Sequence, residues 1–530
     1  MKNHSWLYII LSFLLGISLT LFFVQKKISN SYTIAHRGNK LNEVLWYIQN
    51  NYLDTVDENK LLEDGIRGML LSLDPHSVYA TPQENQQLSE SLDGSFDGIG
   101  IQFNIINDTI MVIATVSGGP SEKVGIRAGD RIVSVNDSIV AGNGITNEQV
   151  FKLLRGPRGS KLTIGIHRPG FPKIYSYQII RDIIPTNTLD VAYMLTKEIG
   201  YIKLNQFGEN TYSEFLVAIT RLKKQGMQSL VLDLRGNSGG YLGTAINLCD
   251  EFLPDNDPIV YTEGLRMAES KIFATQNGTF EKGKLVVLID EFSASASEIV
   301  AGAVQDNDRG TIIGRRSFGK GLVQQQFTLS DNSTLRLTVA RYHTPSGRCI
   351  QRTYDGGTVN YYEDLLRRYE NGEMDNVDSI KLDKSLKYTT KLGRTVYGGG
   401  GIMPDYFVPL DRDTNVKIFD DIYNSGLMIE FTFDYATQHK VDLLRKYETA
   451  EQFVANMVVK DDIINNFLQF YRVKGHTIQS LNASSKRELQ LWLKALIGRN
   501  IYKENGFYPV INSTDKTILK AIEVIQKKNK

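Results

Sequence analysis

The chain has 530 residues, of which 42% are hydrophobic and 22% are charged, and at roughly 100–200 residues per domain a globular chain of this length contains about three to five domains. Sixty basic and fifty-nine acidic residues leave a net charge of +1, which argues against the strongly basic surface of a nucleic-acid-binding protein. The two cysteines, Cys249 and Cys349, form neither a metal-ligand pattern nor a disulfide framework.

The first predicted element is an apolar run near the N-terminus. Nineteen uncharged, mostly apolar residues extend from Trp6 to Val24, and Lys26 and Lys27 follow. This length matches one membrane span, and the run ends in LTLFFVQKK without the small residues of a signal-peptide cleavage site. We therefore predict an uncleaved membrane anchor over residues 1–30, with the rest of the chain extracytoplasmic, on the periplasmic side of the inner membrane in a Gram-negative cell. The positive-inside rule favours the opposite orientation, so the sequence leaves the topology open.

Residues 31–92 are predicted to be helical. Apolar residues recur at helical spacing from Leu41 to Tyr52, and a second helix is expected from about Leu61 to Leu73. The proline-bearing segment LDPHSVYATP ends this region.

From Phe96 to about Pro169 the pattern changes to short β-like runs separated by glycines, such as GIGIQF, TIMVIATV and KLTIGIHR. This stretch resembles a PDZ domain, above all in the string GGPSEKVGIRAGDRIVSVND, and we assign the domain to residues 93–172. The resemblance implies a loop whose backbone N–H groups hold the carboxylate of a peptide C-terminus, while the peptide adds to the sheet as an extra strand. The peptide-binding loop residues are Gly98, Ile99, Gly100 and Ile101.

Residues 199–350 alternate short apolar strands with helices, a pattern typical of an α/β core whose strands are buried on both faces. In such cores, functional sites collect where strands end and helices begin. Two junctions of this kind are RGNSGG at 235–240 and SASASE at 293–298.

The second junction and the lysine that follows it suggest hydrolysis by a serine and a lysine. A serine hydroxyl is a weak nucleophile until a base removes its proton, and no histidine lies between Phe292 and Gln324, so Lys320 is the candidate base. Ser295 and Glu298 also fit the S-x-x-E capping box, which leaves a purely structural role for the serine open. The two roles are compatible, because N–H groups at a helix start can also stabilise an oxyanion.

Two other motifs compete with this interpretation. GRRSFGKG follows the Walker A pattern except at its last position, where Gly321 replaces the Ser or Thr that binds magnesium, so ATP binding is not expected. The G-x-S-x-G motif at 236–240 has the form of a nucleophile elbow, with Ser238 as nucleophile and Asp290 and His343 as nominal partners in a Ser-His-Asp hydrolase.

Residues 40–410 together resemble the C-terminal processing peptidase family, also called tail-specific proteases. The motifs that carry the resemblance are GMLLSLDPHSVYATP, the PDZ-like domain, VLDLRGNSGG, SASASEIVAGAVQD, GRRSFGKGLVQ and GGGGIMPD. It implies an α/β fold, with a ClpP/crotonase-like serine peptidase core over residues 173–410, an inserted PDZ-like β-rich domain, and helical N- and C-terminal regions. Amphipathic stretches in residues 411–530 predict a helical appendage or an oligomer contact.

The resemblance also implies a catalytic dyad. Ser295 matches the nucleophile and Lys320, twenty-five residues later, matches the general base, which Gln324 orients. Lysine has a pKa of about 10.4 in water, so this base must be held neutral by burial, and activity is expected to rise with pH. Asp306 matches an aspartate with a structural role.

Further residues follow from the same resemblance. The backbone N–H groups of Ala296 and of Gly239 or Gly240 match an oxyanion hole, which makes Ser238 part of the scaffold. Arg155 matches a regulatory position that couples the PDZ domain to the active site in some members.

A member of this family is a serine endopeptidase that cleaves C-terminal tails or unfolded proteins recruited by its PDZ domain, with no metal and no cofactor. The predicted partners are protein substrates with exposed C-terminal tails, a membrane through the anchor, and a second copy of the chain in a homo-oligomer. The alternative from another class is a catalytically silent, membrane-tethered scaffold that binds peptides through its PDZ-like domain alone.

Overall fold

The computed structural model describes residues 40–116, 118–168, 170–275, 278–410, 417–477 and 481–527, together with Gly16 and Thr20. Apart from those two positions, the predicted anchor over residues 1–30 lies outside the described residues. Within the described ranges, no helix combines the length and the apolar character needed to cross a membrane. The chain divides into two compact units, Met1–Tyr79 and Ala80–Lys530.

The first unit contains both predicted helices. They are α1 (Lys40–Asn51) and α2 (Glu58–Leu71), and strand β1 (Val78–Ala80) begins at the end of the unit. Asp57 starts α2, because its carboxylate accepts the Lys60 N–H at 3.1 Å and so satisfies one of the unpaired donors of the first turn.

The second unit begins with α3 (Pro82–Leu92) and continues into the predicted β-rich domain. Its elements are β2 (Ser95–Gly98), β3 (Ile101–Ile105), β4 (Ile110–Thr115), α4 (Pro120–Lys123), β5 (Arg131–Val135), β6 (Ser138–Ile139), α5 (Asn147–Leu154), β7 (Lys161–His167), β8 (Ile174–Ile180) and β9 (Asp182–Pro185). The antiparallel sheet has the order β3-β4-β5-β7-β8, with β6 beside β5, while β2 pairs with β9. Strand β8, which follows the predicted boundary at residue 172, pairs with β7 along its whole length.

An α/β core follows, as the alternating pattern predicts. Its elements are β10 (Leu189–Met194), β11 (Ile199–Leu204), α6 (Thr211–Lys224), β12 (Ser229–Asp233), α7 (Leu242–Asp250), β13 (Pro258–Gly264), β14 (Met267–Phe273), β15 (Leu285–Ile289), α8 (Ala296–Asp306), β16 (Thr311–Gly314), β17 (Leu322–Thr328) and β18 (Thr334–His343). The segment after β18 carries α9 (Gly357–Tyr362), α10 (Asp364–Glu370), a 3-10 turn (Val377–Ser379), β19 (Lys387–Thr389), β20 (Thr395–Tyr397) and β21 (Tyr406–Phe407).

Two sheets organise this core. The first has the order β10-β11-β12-β15-β16-β21 and is parallel except for β10. Every residue of β12 and β15 is buried, as expected for strands that are covered on both faces. Helices α6, α7 and α8 pack on one face, with Phe215, Leu248 and Val300 in the shared apolar cluster. The second sheet is antiparallel and pairs β18 with β13 and β17, and β13 with β14.

The end of the chain covers the other face of the first sheet. The helices after the core are α11 (Lys417–Asn424), α12 (Leu427–Gln438), α13 (Lys440–Lys446), α14 (Ala450–Asn456), α15 (Asp461–Val473), α16 (Ala483–Tyr502), α17 (Glu504–Asn512) and α18 (Lys516–Gln526). Helices α11 to α16 share an apolar core of their own, but α18 packs Ile518, Ala521 and Ile525 with Val231 and Leu288 of the sheet. The amphipathic pattern predicted the apolar face of this helix but not the sheet that covers it, because such a pattern shows which face is apolar and not what packs on it.

Ile518→Ala is expected to lower the free energy of unfolding by about 2–4 kcal/mol, the usual cost of truncating a buried aliphatic side chain to alanine. Ile518 is fully buried, whereas its neighbour Leu519 is 49% exposed. Leu519→Ala is the matched control, and we expect it to change the free energy of unfolding by less than about 0.5 kcal/mol. Chemical denaturation followed by circular dichroism measures both values, and equal losses in the two variants would contradict docking of α18 on the sheet.

Candidate active site

Ser295 lies between the end of β15 and the start of α8, and its backbone is strained. Its φ is 54° and its ψ is −113°, in a region that non-glycine residues rarely adopt, at a cost of the order of 1–3 kcal/mol. A strained turn from a strand into a helix is also how α/β-hydrolases expose their nucleophilic serine. Ser238 of the rival G-x-S-x-G motif is exposed and does not have a positive φ.

A buried carboxylate joins Ser295 to the loop that carries Lys320. Glu298 is fully buried in α8, and its Oε2 accepts the N–H of Ser295 at 2.8 Å and the N–H of Lys320 at 2.9 Å. Its Oε1 accepts the Ser317 hydroxyl at 2.5 Å and the Gly319 N–H at 2.7 Å. The sequence identified Glu298 only as a capping residue, because no local signal shows that residues 317–320 lie against it.

Lys320 lies in an irregular loop ahead of β17. Its Nζ donates to Oε1 of Gln324 at 3.2 Å. The Phe318 N–H in the same loop donates to the carbonyl of Ser293 at 3.0 Å, so the loop is also bonded to the segment ahead of Ser295. A strand follows the lysine, whereas an ATP-binding loop leads into a helix whose N-terminus holds phosphate.

Two backbone N–H groups beside Ser295 are suited to an oxyanion. Ala296 is the first residue of α8, where N–H groups have no partner within the helix. The N–H of Gly239 already donates to Oδ1 of Asn237 at 2.9 Å, whereas the Gly240 N–H has no such bond among the described residues. Of the two glycines that the sequence proposed, Gly240 is therefore the better donor. Gly239 keeps a steric role, because a Cβ there would lie 2.8 Å from the Cβ of Ser295.

The glycine loop, residues 236–240, is bonded directly to the segment that carries Ser295. The carbonyl of Asn237 accepts the Ala294 N–H at 3.0 Å and the Ser297 hydroxyl at 2.8 Å. These bonds hold the Gly240 and Ala296 N–H groups in one part of the molecule.

The nominal triad of Ser238, Asp290 and His343 is not assembled. The carboxylate of Asp290 accepts main-chain N–H groups, including that of Gly236 at 2.9 Å. The His343 ring stacks on Tyr261 with a centroid distance of 4.6 Å. No hydrogen bond joins the three side chains in the part of the chain that the structure describes. A nucleophile elbow at Ser238 would therefore have no histidine positioned as its base.

A buried ion cluster supports the start of the glycine loop. Arg235 pairs with Asp233 at 2.7 Å and with Asp515, the residue before α18, at 2.8 Å. Tyr201 donates its hydroxyl to Asp233 at 2.7 Å, and Nζ of Lys203 donates to the Arg235 carbonyl at 2.8 Å. Burial alone raises the pKa of Asp233, but the charges of Arg235 and Lys203 outweigh it and hold that pKa well below its usual range. The C-terminal segment thus contributes a charge next to the glycine loop, which the sequence did not indicate.

Asp306 at the end of α8 has structural partners. It forms an ion pair with Arg348 at 2.8 Å, and neither side chain is exposed. The hydroxyls of Thr344 and Ser346 donate to the same carboxylate. These bonds join α8 to the turn after β18, the kind of role that the family resemblance implies for this aspartate.

The four predicted peptide-binding residues lie at the junction of β2 and β3. Gly98 ends β2 and Ile101 begins β3. Ile99 is buried, and Gly100 has a φ of 72°, which glycine adopts without strain. Among the described strands β3 pairs only with β4, so the outer edge of β3 remains unpaired.

The open edge of β3 lies beside helix α5. The rings of Phe103 in β3 and Phe151 in α5 lie 5.5 Å apart in an edge-to-face contact. A strand edge next to an aromatic helix face can accept an extended peptide through main-chain bonds and apolar side-chain contacts.

Arg155, the predicted regulatory residue, lies at the end of α5. Its guanidinium pairs with Glu90 of α3 at 2.6 Å and lies over the rings of Phe96 and Phe151 at 4.5 and 4.8 Å. A cavity of about 350 Å³ is lined by Glu90, Phe96, Arg155, Thr186, Asn187, Thr188, Asn205 and Gln206. Arg155 is therefore in contact with an element outside the β-rich domain, and its regulatory role stays a prediction.

Glu298→Gln is expected to reduce activity about 100-fold, because the amide N–H₂ replaces one carboxylate oxygen and cannot accept from the two donors that face it, and each unmade buried bond costs about 1–3 kcal/mol. Burial raises the pKa of Glu298 despite its four hydrogen bonds. As the pH falls through that raised pKa, the carboxylate gains a proton and loses an acceptor site, so wild-type activity should fall in mildly acidic solution. A pH–rate profile checks this: the acid limb of the wild type should reflect two protons, those of Lys320 and Glu298, and only that of Lys320 should remain in the variant. The exposed Glu448→Gln is the control; an acid limb of unchanged midpoint and slope in Glu298→Gln would show that Glu298 does not contribute to it.

Four family models match the chain. They are Peptidase family S41 over residues 198–359, PDZ domain over residues 86–167, Activating protease CtpB N-terminal domain over residues 22–83, and Family of unknown function (DUF8443) over residues 418–503. The first two matches fall on the α/β core and on the β-rich domain described above.

Known proteases are similar over more than half of the chain. The chain is 40% identical over 317 residues to a carboxy-terminal-processing protease of Bartonella bacilliformis, a match that covers 59% of this chain and 72% of that protein. It is 37% identical over 317 residues to the carboxy-terminal processing protease CtpB of Bacillus subtilis, over 59% of this chain and 65% of that protein. Among solved structures, the photosystem II D1 C-terminal processing protease has 32% identity and a TM-score of 0.35, over 59% of this chain and 83% of that chain.

Proposed function

The chain belongs to the C-terminal processing peptidase family and is a serine-type peptidase with a PDZ domain, and on that premise we propose that a Ser295–Lys320 dyad cleaves protein tails or unfolded proteins captured by the PDZ domain. The observation that carries the proposal is the shared carboxylate of Glu298, which accepts the main-chain N–H of both dyad residues. This carboxylate holds the main chains of Ser295 and Lys320 close together, although the two residues are twenty-five positions apart in the sequence.

In the proposed reaction, neutral Lys320 takes the proton of Ser295 Oγ while Oγ attacks the carbonyl carbon of the scissile bond. The N–H groups of Ala296 and Gly240 stabilise the negative charge that develops on the carbonyl oxygen. The protonated lysine then gives its proton to the leaving amine, and an ester between Ser295 and the acyl part of the substrate remains. Water cleaves this ester with Lys320 as base, so the cycle requires no metal or cofactor.

Substrate recruitment is the second part of the proposal. A C-terminal tail adds to the open edge of β3, with its carboxylate at Gly98–Ile101 and its apolar side chains against Phe103 and Phe151. The apolar run from Trp6 to Val24 supports the further proposal that the peptidase is anchored in a membrane and acts on its extracytoplasmic side.

A serine-reactive fluorophosphonate tests the dyad. The probe is attacked by an activated serine with loss of fluoride, and mass spectrometry of the digested protein identifies the labelled residue. We expect the label on Ser295. A label on Ser238 would assign the chemistry to the elbow motif, and an unlabelled protein that still binds peptides would favour the silent scaffold.

Two substrates that differ in one group test recruitment. An unstructured polypeptide with a free C-terminal carboxylate is compared with the same polypeptide amidated at its C-terminus. We expect amidation to raise KM about tenfold with little change in kcat, because the loop loses a charge-assisted hydrogen-bond partner. Equal KM values for the two substrates would reject capture of the terminal carboxylate by the PDZ domain.

A further inference from the structure

Tyr342, near the end of β18, lies against the main chain of both dyad residues. Its side chain is 1% exposed. Its hydroxyl lies 2.5 Å from the carbonyl oxygen of Lys320 and 3.1 Å from the carbonyl oxygen of Ser295. The side chain comes from the second sheet, so neither of the two catalytic loops contains it.

The hydroxyl of Tyr342 acts only as a donor in this position. Both of its neighbours are carbonyl oxygens, which accept and cannot donate, and a phenol has one proton to share between them. Burial, followed by the charge of Glu298, raises the pKa of Tyr342 well above its ordinary value, so the proton stays in place throughout the working pH range.

The contact is made at the strained residue. The carbonyl of Ser295 also accepts the N–H groups of Glu298 at 2.8 Å and Ile299 at 3.0 Å, and its N–H is bonded to Glu298. A backbone with positive φ persists where the surroundings determine it from several directions. The hydroxyl of Tyr342 adds a contact that joins the Ser295 carbonyl to the loop that carries Lys320.

The backbone of Tyr342 holds the same loop. Its N–H donates to the carbonyl of Gly321 at 3.0 Å, so β18 bonds to the residue after the lysine as well as to the lysine itself. The hydroxyl of Tyr342 therefore bonds the carbonyl of Lys320, and its main-chain N–H bonds the carbonyl of Gly321.

We propose that Tyr342 is a positioning residue of the peptidase, whose hydroxyl sets the spacing of Ser295 and Lys320 by bonding the main-chain carbonyls of both. The inference rests on the proposed dyad. It adds a second bridge to that of Glu298: the carboxylate fixes the N–H side of each residue, and the phenol fixes the carbonyl side.

Tyr342→Phe tests the proposal, because it removes the hydroxyl and keeps the ring. The readouts are the rate of Ser295 labelling by the fluorophosphonate, kcat and KM for a short peptide, and Tm. We expect labelling and kcat to fall roughly 10- to 100-fold, the effect of removing the buried hydroxyl that bonds the carbonyls of Lys320 and Ser295, while KM changes by less than about twofold as for a loss confined to the transition state. The matched control is Tyr471→Phe, which removes the hydroxyl of a tyrosine buried in α15.

A double variant separates positioning from general stability. In the Lys320→Ala background, the loss caused by Tyr342→Phe should shrink to less than about twofold, because residues that act through one another are not additive. A full additional loss, or labelling that falls no further than in Tyr471→Phe, would overturn the proposal. If Tyr342→Phe does not fold, an unchanged labelling rate with Tyr342→Trp, which donates through its indole N–H from a different position, would also overturn it. If the proposed dyad itself is wrong, the fluorophosphonate will not label Ser295 in the wild type, so this outcome can be told apart from failure of the Tyr342 proposal.

Discussion

Ser295→Ala is expected to lower kcat for proteolysis by about 10⁴- to 10⁶-fold, the range found when a serine peptidase loses its nucleophile. No acyl-enzyme can form without Oγ, and what remains is stabilisation of charge by the backbone N–H groups. The measurement is the initial rate on a fluorescent unstructured polypeptide. Substrate binding should persist, because the PDZ domain is unchanged, so KM serves as an internal check that the variant is folded.

Ser238→Ala is the matched control for this prediction. Ser238 is exposed in the glycine loop, and its side chain has no part in the proposed chemistry. We expect the rate to stay within about threefold of wild type, as for surface substitutions that leave the structure intact. Full activity in Ser295→Ala together with a loss in Ser238→Ala would overturn the dyad in favour of the elbow motif.

Lys320→Ala is expected to lower kcat by about 10³- to 10⁴-fold, because a serine hydroxyl without a positioned base is a poor nucleophile. Lys320→Arg should be as inactive, since a guanidinium stays charged and cannot accept the proton. Comparison of Lys320→Ala with Lys320→Arg distinguishes a role of the lysine as general base from a role as a positive charge. Activity retained by Lys320→Arg would show that the residue acts electrostatically and would contradict the proposed role.

Chemical rescue gives the lysine prediction a second measurement. Ethylamine added to Lys320→Ala should restore part of the activity, and the rescue should increase with pH as the neutral amine becomes more abundant. Gln324→Ala should cost less than Lys320→Ala, because Gln324 accepts a hydrogen bond from Nζ and takes no proton in the proposed reaction. Rescue that is independent of pH would indicate that the amine repairs a cavity instead of replacing a base.

The candidate site shows how far sequence reasoning reaches. Ser295, Lys320 and Gln324 were proposed from motifs and from the family resemblance. The structure joins the segments that carry Ser295 and Lys320 through Glu298, and it places Gln324 on β17, where its side chain accepts from Lys320. The choice between Gly239 and Gly240 could not be made from the sequence, because it depends on the bond from the Gly239 N–H to Asn237.

Local patterns were sufficient for the elements themselves. Alternating apolar strands and helices indicated the α/β core, glycine-separated β-runs indicated a small β-rich domain, and both are present. These signals are local, since periodicity and turn residues act within a few positions of one another.

What only the tertiary structure decided are contacts between distant segments. The hydroxyl of Tyr342 bonds the carbonyls of Lys320 and Ser295, and Asp515 forms an ion pair with Arg235. Helix α18 packs on a face of the first sheet, a contact that the sequence did not predict. The sequence of an amphipathic helix shows that its apolar face must be buried, and a buried tyrosine hydroxyl must form a hydrogen bond. Which partner it finds depends on the packing of the whole chain, so the sequence by itself determined the elements and the candidate chemistry, and the fold decided what holds that chemistry in place.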